Sequence, residues 1–196
     1  MADSILVLGD SLSAAYGFEL DQGWVYLLQQ RLSSQARDES PWKVVNASVS
    51  GETTAGGLAR LPQLLEKHKP AIIILALGAN DGLRGQSIQI VRSNLAAMVH
   101  KSKQFGDVIL LGMRLPPNYG KAYTQAFEDS FTTIAKQSEV RYVPFFIRGV
   151  TENPEYMHID NFHPNAAAQP KILSNIWPTV KIVIDKTGNS KSEVGE

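Results

Sequence analysis

The stretch Ser4-Ile5-Leu6-Val7-Leu8-Gly9-Asp10-Ser11-Leu12-Ser13 lies close to the amino terminus of this 196-residue chain. Its apolar run is short and stops abruptly, which is typical of a buried strand in a parallel sheet. Gly9 permits a tight turn, so Ser11 should lie just beyond the carboxyl end of that strand. Open α/β sheets form their sites at this edge, which makes Ser11 a candidate nucleophile. The alternative is an ordinary turn serine that caps a helix.

Four further apolar runs predict strands, and amphipathic helical patterns separate them. The five predicted strands cover residues 4–9, 42–47, 71–77, 107–112 and 141–146. This alternation predicts an α/β fold, a three-layer α/β/α sandwich around a five-stranded parallel sheet with flavodoxin-like strand order. The last helix is expected over about residues 165–183. Residues 1–184 are therefore predicted to form a single domain, followed by a polar, mobile tail at 185–196.

Composition narrows the classes of function. Lys plus Arg and Asp plus Glu each number 19, so the formal net charge is zero. This balance argues against nucleic acid or an anionic membrane as the main partner. The chain has no cysteine, which excludes disulfides, thiolate metal sites and cysteine nucleophiles.

The amino terminus bears on localisation. Met1-Ala2-Asp3 leads directly into the first predicted strand, and no apolar run reaches the roughly 20 residues of a transmembrane helix. A cytoplasmic location is expected unless a signal peptide was removed before Ala2.

A candidate base for Ser11 lies near the other end of the chain, in Asp160-Asn161-Phe162-His163-Pro164. A serine hydroxyl is a weak nucleophile until a base takes its proton, and His163 can do so. Asp160 can reach the other ring nitrogen of His163, fix its tautomer and stabilise the imidazolium. Two alternatives remain open: a metal site that uses Asp160, His163 and His158, and a purely structural loop.

Two more loops follow predicted strands at the same edge of the sheet, at residues 48–54 and 78–82. Acyl transfer needs hydrogen-bond donors aimed at the oxygen that becomes negatively charged. The candidate donors are the backbone N–H groups of Ser11 and Gly51 and the side-chain amide of Asn80. Taken singly, each loop would be an ordinary turn.

In combination these motifs resemble the GDSL or SGNH hydrolase family. The matching blocks, in family order, are Gly9-Asp10-Ser11-Leu12, Gly51, Gly78-Ala79-Asn80-Asp81 and Asp160-Asn161-Phe162-His163. A narrower resemblance, through residues 8–17, 80–85 and 113–120, is to the bacterial thioesterase I, protease I and lysophospholipase L1 group and related arylesterases. Ala79 stands where that group often has glycine.

The resemblance implies a serine esterase that cleaves carboxylic ester and thioester bonds, such as those of acyl-CoA, aryl esters and lysophospholipids. An acyl-enzyme would form on Ser11, with His163 as base and Asp160 as its partner. The N–H groups of Ser11 and Gly51 and the amide of Asn80 would form the oxyanion hole.

The resemblance implies no metal or organic cofactor, and a small acyl ester or thioester is the expected partner. It does not imply an oligomer, so a monomer is expected. It favours a periplasmic location. Asp10 and Asp81 are expected to brace their loops by hydrogen bonding rather than to act on the substrate.

The substrate pocket is expected between residues 78–85, a mobile loop by resemblance, and residues 114–120. Leu83 is a candidate contact for an acyl chain. Asn118 and Tyr119 are candidate contacts for the head group or an aromatic leaving group. Two other functions stay open: an acetylesterase or carbohydrate deacetylase with the same residues, and a non-enzymatic binding module on this fold.

Overall fold

The computed structural model describes residues 3–35 and 42–192, and within them it contains one parallel five-stranded sheet. The strands are β1 (Asp3–Gly9), β2 (Trp42–Asn46), β3 (Ile72–Ala76), β4 (Asp107–Leu111) and β5 (Arg141–Val143). Their order is β2-β1-β3-β4-β5, and all four neighbouring pairs are parallel. This order confirms the flavodoxin-like prediction, with the reversal in strand order at β1 and β3.

Six α-helices in the described ranges cover the sheet. They are α1 (Trp24–Gln35), α2 (Thr54–His68), α3 (Ala79–Leu83), α4 (Ile88–Ser102), α5 (Lys121–Ser138) and α6 (Gln169–Ser192). Helices α1 and α6 pack together on one face, whereas α2, α4 and α5 pack side by side on the other. The three-layer α/β/α arrangement is therefore as predicted.

The core lies on both faces of the central strands. Every residue of β3 is buried, as are Ile5, Leu6, Val7 and Leu8 of β1. A strand buried on both faces needs apolar residues throughout rather than at alternate positions, which explains these uninterrupted aliphatic runs. The carboxyl ends of β1 and β3 are thereby held rigidly side by side, with Gly9 paired to Ala76.

Two boundaries differ from the sequence prediction. Strand β5 ends at Val143 instead of residue 146, because Pro144 follows and has no N–H for the ladder. Helix α6 begins at Gln169 and continues through Ser192, nine residues beyond the predicted end. Val183 packs in the core, and an ion pair joins Lys181 to Asp185 one turn later.

Residues 185–192 of the predicted tail are therefore helical, and the domain boundary at residue 184 stays a prediction. Residues 193–196 lie outside the described residues, and mobility of this terminus stays a prediction. None of the helices in the described ranges is long and apolar enough to cross a membrane.

The predicted loop at residues 78–85 contains the short helix α3. Gly78 precedes it with φ 119°, a conformation that favours glycine. Gly82 is not an open hinge, because a Cβ atom there would lie 2.6 Å from Leu115 and 2.9 Å from Phe127. Its missing side chain lets α3 pack closely on its neighbours. Gly85, at φ 67°, has open space around it and ends the segment.

Candidate active site

Ser11 lies two residues beyond the end of β1, and its hydroxyl faces the ring of His163. The distance from Ser11 Oγ to His163 Nε2 is 3.2 Å. The other ring nitrogen, Nδ1, lies 2.7 Å from Asp160 Oδ2. Because a carboxylate can only accept, this contact puts the ring proton on Nδ1 and leaves Nε2 free to accept from the serine hydroxyl. The structure thus brings all three residues into one hydrogen-bonded line.

A tight turn holds Asp160 and His163 in register. Asp160 Oδ1 accepts the backbone N–H groups of Phe162 at 2.8 Å and His163 at 3.0 Å. The N–H of His158 donates to the carbonyl of His163 at 2.8 Å, which closes the segment on itself. Asn161 takes a left-handed conformation at φ 54°, which asparagine tolerates better than most residues.

The same hydrogen bonds determine the ionisation of Asp160. The backbone N–H of His163, then the His163 side chain, then the N–H of Phe162 hold the pKa of this carboxyl well below its usual range. Asp160 is therefore a carboxylate at any pH at which the protein is expected to work. Its side chain is 41% exposed, so water screens its charge from the surroundings.

Asn80 lies near the start of α3 and links the loops that follow β1 and β2. Its side-chain nitrogen donates to the carbonyl of Glu52 at 3.0 Å and to Asp10 Oδ2 at 3.3 Å. Gly51, next to Glu52, has φ 79°, and its carbonyl accepts from Arg84 at 3.2 Å. Asn80 lines the cavity beside Ser11, whereas Gly51 is not among the lining residues.

Asp10 lies beneath this cluster and is only 1% exposed. Burial raises its pKa to about 6, while the Leu12 N–H, the charge of His163 and the Asn80 amide act in the opposite direction. Its Oδ1 accepts the Leu12 N–H at 3.0 Å, so the carboxyl fixes the turn that carries Ser11. The bracing role predicted for Asp10 agrees with these contacts.

Asp10→Asn should change how stability depends on pH. An elevated folded-state pKa means that Asp10 favours the folded state below pH 3.8, and that this contribution is lost as pH rises through about 6. This loss in the free energy of unfolding corresponds to about 3 kcal/mol. Asp10→Asn removes the pH dependence, because asparagine does not titrate. In urea unfolding at pH 4 and pH 8, we expect the variant to gain stability relative to wild type at the higher pH. Parallel pH dependences for the two proteins would contradict this.

Asp81 braces a different junction. This buried carboxylate accepts the Thr54 N–H at 2.8 Å and the Thr54 hydroxyl at 2.6 Å, at the first residue of α2. Asn94 on α4 donates to the same hydroxyl at 3.0 Å. Asp81 thus joins three helices and is not among the residues that line the cavity.

A cavity of about 280 Å³ opens beside Ser11 and His163. Most of its wall is apolar, formed by Leu12, Ala79, Leu83, Met113, Leu115, Pro116, Ile147, Met157 and Phe162. Leu83 therefore lies where the sequence prediction requires it. Residues from both predicted bordering segments, 78–85 and 114–120, line this cavity.

Asn118 and Tyr119 do not line the cavity. They lie in a short 3-10 turn (Pro117–Tyr119), where Asn118 is exposed. The Tyr119 hydroxyl donates to the Leu83 carbonyl at 2.9 Å, so it secures the end of α3. A direct contact of either residue with a substrate stays a prediction.

The sequence did not indicate one wall of the cavity or the aromatic ring that contacts His163. Ile147, Thr151 and Met157 line the cavity from an irregular segment that has no motif of its own. The ring of Tyr16 lies 4.4 Å from that of His163, centroid to centroid. Tyr16 falls within the segment that carried the family resemblance, which was the only available sign of its importance.

The metal-site alternative does not agree with the observed contacts. The side chains of Asp160 and His163 bond to each other, and the His158 ring stacks on Phe18. Among residues 3–35 and 42–192, no group of three His, Cys, Asp or Glu side chains has an arrangement that could hold a metal ion.

Comparison with known proteins agrees with this site. The sequence model of the GDSL-like lipase/acylhydrolase family matches residues 7–169. Esterase TesA of Pseudomonas aeruginosa is 50% identical over 181 residues, which are 92% of this chain and 89% of that protein. Thioesterase 1/protease 1/lysophospholipase L1 of Escherichia coli K12 is 41% identical over 172 residues, 87% of this chain and 80% of that protein.

A solved structure has a similar fold. The psychrotrophic esterase EstA from Pseudoalteromonas sp., in a structure inhibited by monoethylphosphonate, superposes with a TM-score of 0.87. It is 39% identical, and the match covers 93% of this chain and 99% of that one.

Proposed function

The chain belongs to the GDSL-like lipase/acylhydrolase family, and from this premise we propose that it cleaves carboxylic esters and thioesters of medium-length acyl chains through an acyl-enzyme on Ser11. It is an ester-hydrolysing enzyme of the serine type. The observation that carries the proposal is the hydrogen-bonded line of Ser11, His163 and Asp160 at the mouth of an apolar cavity.

In the acylation step, Ser11 Oγ attacks the carbonyl carbon of the substrate while its proton passes to His163 Nε2. The Asp160 carboxylate stabilises the imidazolium that results. The negative oxygen of the tetrahedral intermediate accepts hydrogen bonds from the N–H groups of Ser11 and Gly51 and from the Asn80 amide. Collapse of the intermediate breaks the bond to the alcohol or thiol, which takes the proton from His163.

In the deacylation step, water attacks the carbonyl carbon of the Ser11 ester and gives its proton to His163. The second tetrahedral intermediate uses the same oxyanion donors. Its collapse releases the carboxylic acid and returns the proton to Ser11 Oγ. Because both N–H directions of Asn80 are engaged by Glu52 and Asp10, the substrate oxygen must compete for one of them.

The cavity supports an acyl chain longer than acetyl. A chain longer than acetyl can bury more methylene groups against the apolar wall of the cavity. Each buried methylene contributes about 0.8 kcal/mol to binding. The volume of about 280 Å³ is at the lower end of small-molecule sites, which favours a medium chain over palmitoyl. The names of the relatives, an esterase and a thioesterase/lysophospholipase, support both oxyester and thioester substrates.

Hydrolysis of p-nitrophenyl esters from acetyl to palmitoyl, alongside the matching acyl-CoA thioesters, tests this proposal. We expect the highest kcat/KM at an intermediate chain length. Leu83→Ala widens the cavity wall and should move the optimum towards longer chains, with little change for acetyl. An acetyl optimum would indicate an acetylesterase or deacetylase instead. A profile unchanged by Leu83→Ala would remove Leu83 from the acyl site.

We further propose that the enzyme acts as a monomer in the periplasm. The resemblance to the bacterial thioesterase I group supports the periplasmic location, and nothing in the sequence implies an oligomer. The formal net charge of zero gives no reason to expect a nucleic-acid partner.

A further inference from the structure

Two aromatic–histidine pairs connect the loop that carries Ser11 to the loop that carries His163. Tyr16 lies against His163 with ring centroids 4.4 Å apart and planes tilted by 38°. Phe18, two residues later, stacks on His158 at 6.2 Å and 17°. The first pair contacts the proposed base itself, and the second contacts the residue whose N–H closes the turn around it.

The backbone around Tyr16 is shaped for this contact. Ala15 has φ 57°, a left-handed conformation that costs a residue with a Cβ some strain, and Gly17 has φ 83°. A Cβ atom on Gly17 would lie 2.8 Å from His158 Nε2. Glycine at this position therefore allows the two loops to approach closely. Between these two turns, Tyr16 is directed at the imidazole although it is 47% exposed.

Hydrogen bonds alone do not fix the His163 ring. Its bonds to Asp160 and Ser11 leave it able to tilt about the line that joins the two partners. The His163 side chain is 28% exposed and that of Asp160 is 41% exposed, so neither is fully enclosed by its neighbours. The Tyr16 ring supplies a further restraint, because it contacts the imidazole with the two ring planes tilted by 38°.

We propose that Tyr16 is a positioning residue for the general base: its ring holds the His163 imidazole in line with Ser11 Oγ and stabilises the imidazolium formed during acyl transfer. The face of an aromatic ring attracts a cation. This attraction therefore adds to that of Asp160 only when the His163 imidazole is charged. Asp160, Asp10 and the Ser11 hydroxyl are the other polar groups that act on His163. The inference rests on the proposed roles of Ser11 and His163.

The test compares Tyr16→Leu with Tyr16→Phe on p-nitrophenyl butyrate. Loss of the ring should lower kcat by about 5- to 10-fold and leave KM nearly unchanged, because the contact is to the base and not to the cavity wall. Phenylalanine retains the ring and should keep kcat within about 2-fold of wild type. Tyr26→Leu is the matched control, because Tyr26 is 43% exposed on α1, away from the site, and should keep wild-type kinetics.

Three results would overturn the proposal. Wild-type kcat in Tyr16→Leu would show that the ring does not position the base. An equal loss in Tyr16→Phe would assign the effect to the hydroxyl. A rise in KM at constant kcat would make Tyr16 a substrate contact. A substantial share of the wild-type rate in Ser11→Ala would instead contradict the proposed function, so the two failures are distinguishable.

Discussion

Ser11→Ala is expected to lower kcat for ester hydrolysis by about 10⁴- to 10⁶-fold. No other hydroxyl among the described residues is seen bonded to the His163 ring, whose Nε2 lies 3.2 Å from Ser11 Oγ. Without that oxygen no acyl-enzyme can form. The remaining rate would come from water held near the oxyanion donors.

The measurement is the initial rate with p-nitrophenyl butyrate at saturating substrate. Ser13→Ala is the matched control, because Ser13 lies two residues away and its buried hydroxyl has no hydrogen-bond partner in the described part of the chain. Removing an unpaired buried hydroxyl should cost neither activity nor stability. If Ser11→Ala kept a substantial share of the wild-type rate while Ser13→Ala lost it, the nucleophile would be misassigned.

Asp160→Asn should lower kcat by about 10²- to 10⁴-fold without unfolding the turn. Asparagine keeps an oxygen that can accept the backbone N–H groups of Phe162 and His163, as Asp160 Oδ1 does now. Its amide nitrogen, however, would donate towards His163 Nδ1. The ring proton would then move to Nε2, which could no longer accept the proton of Ser11.

The effect should fall short of that in a fully buried triad, because Asp160 is partly exposed and water can replace it at Nδ1. Asp185→Asn is a suitable control, since Asp185 pairs with Lys181 on the exposed surface of α6. Because hydrogen bonds hold the pKa of Asp160 well below its usual range, its protonation should not contribute to any loss of activity above pH 4. Wild-type kcat in Asp160→Asn would exclude it as the partner of His163.

The sequence was sufficient to predict which loops meet, because parallel strands place their carboxyl ends at one edge. Ser11 and Asn80 each follow a strand by a few residues, and those strands are neighbours in the sheet. Such local patterns of apolar runs and turns could be read directly. The order of the strands followed from the number and alternation of the elements.

What could not be predicted depends on packing between distant segments. Helix α3 is too short to show a periodic pattern, and it depends on Asp81 and on the close approach at Gly82. The third wall of the cavity comes from an irregular segment around Ile147 and Met157. The contact of the Tyr16 ring with that of His163 joins residues far apart in the sequence, and neither has a local signature for it.

Asp160 and His163 are three residues apart on one turn, whereas Ser11 is 152 residues from His163 in the sequence. One short turn therefore sets the position of Asp160 relative to His163. Only the distance from Ser11 to His163 depends on how the whole molecule is folded. A substitution elsewhere that shifts the packing of the loops is therefore expected to change the Ser11–His163 distance and to leave the Asp160–His163 hydrogen bond intact.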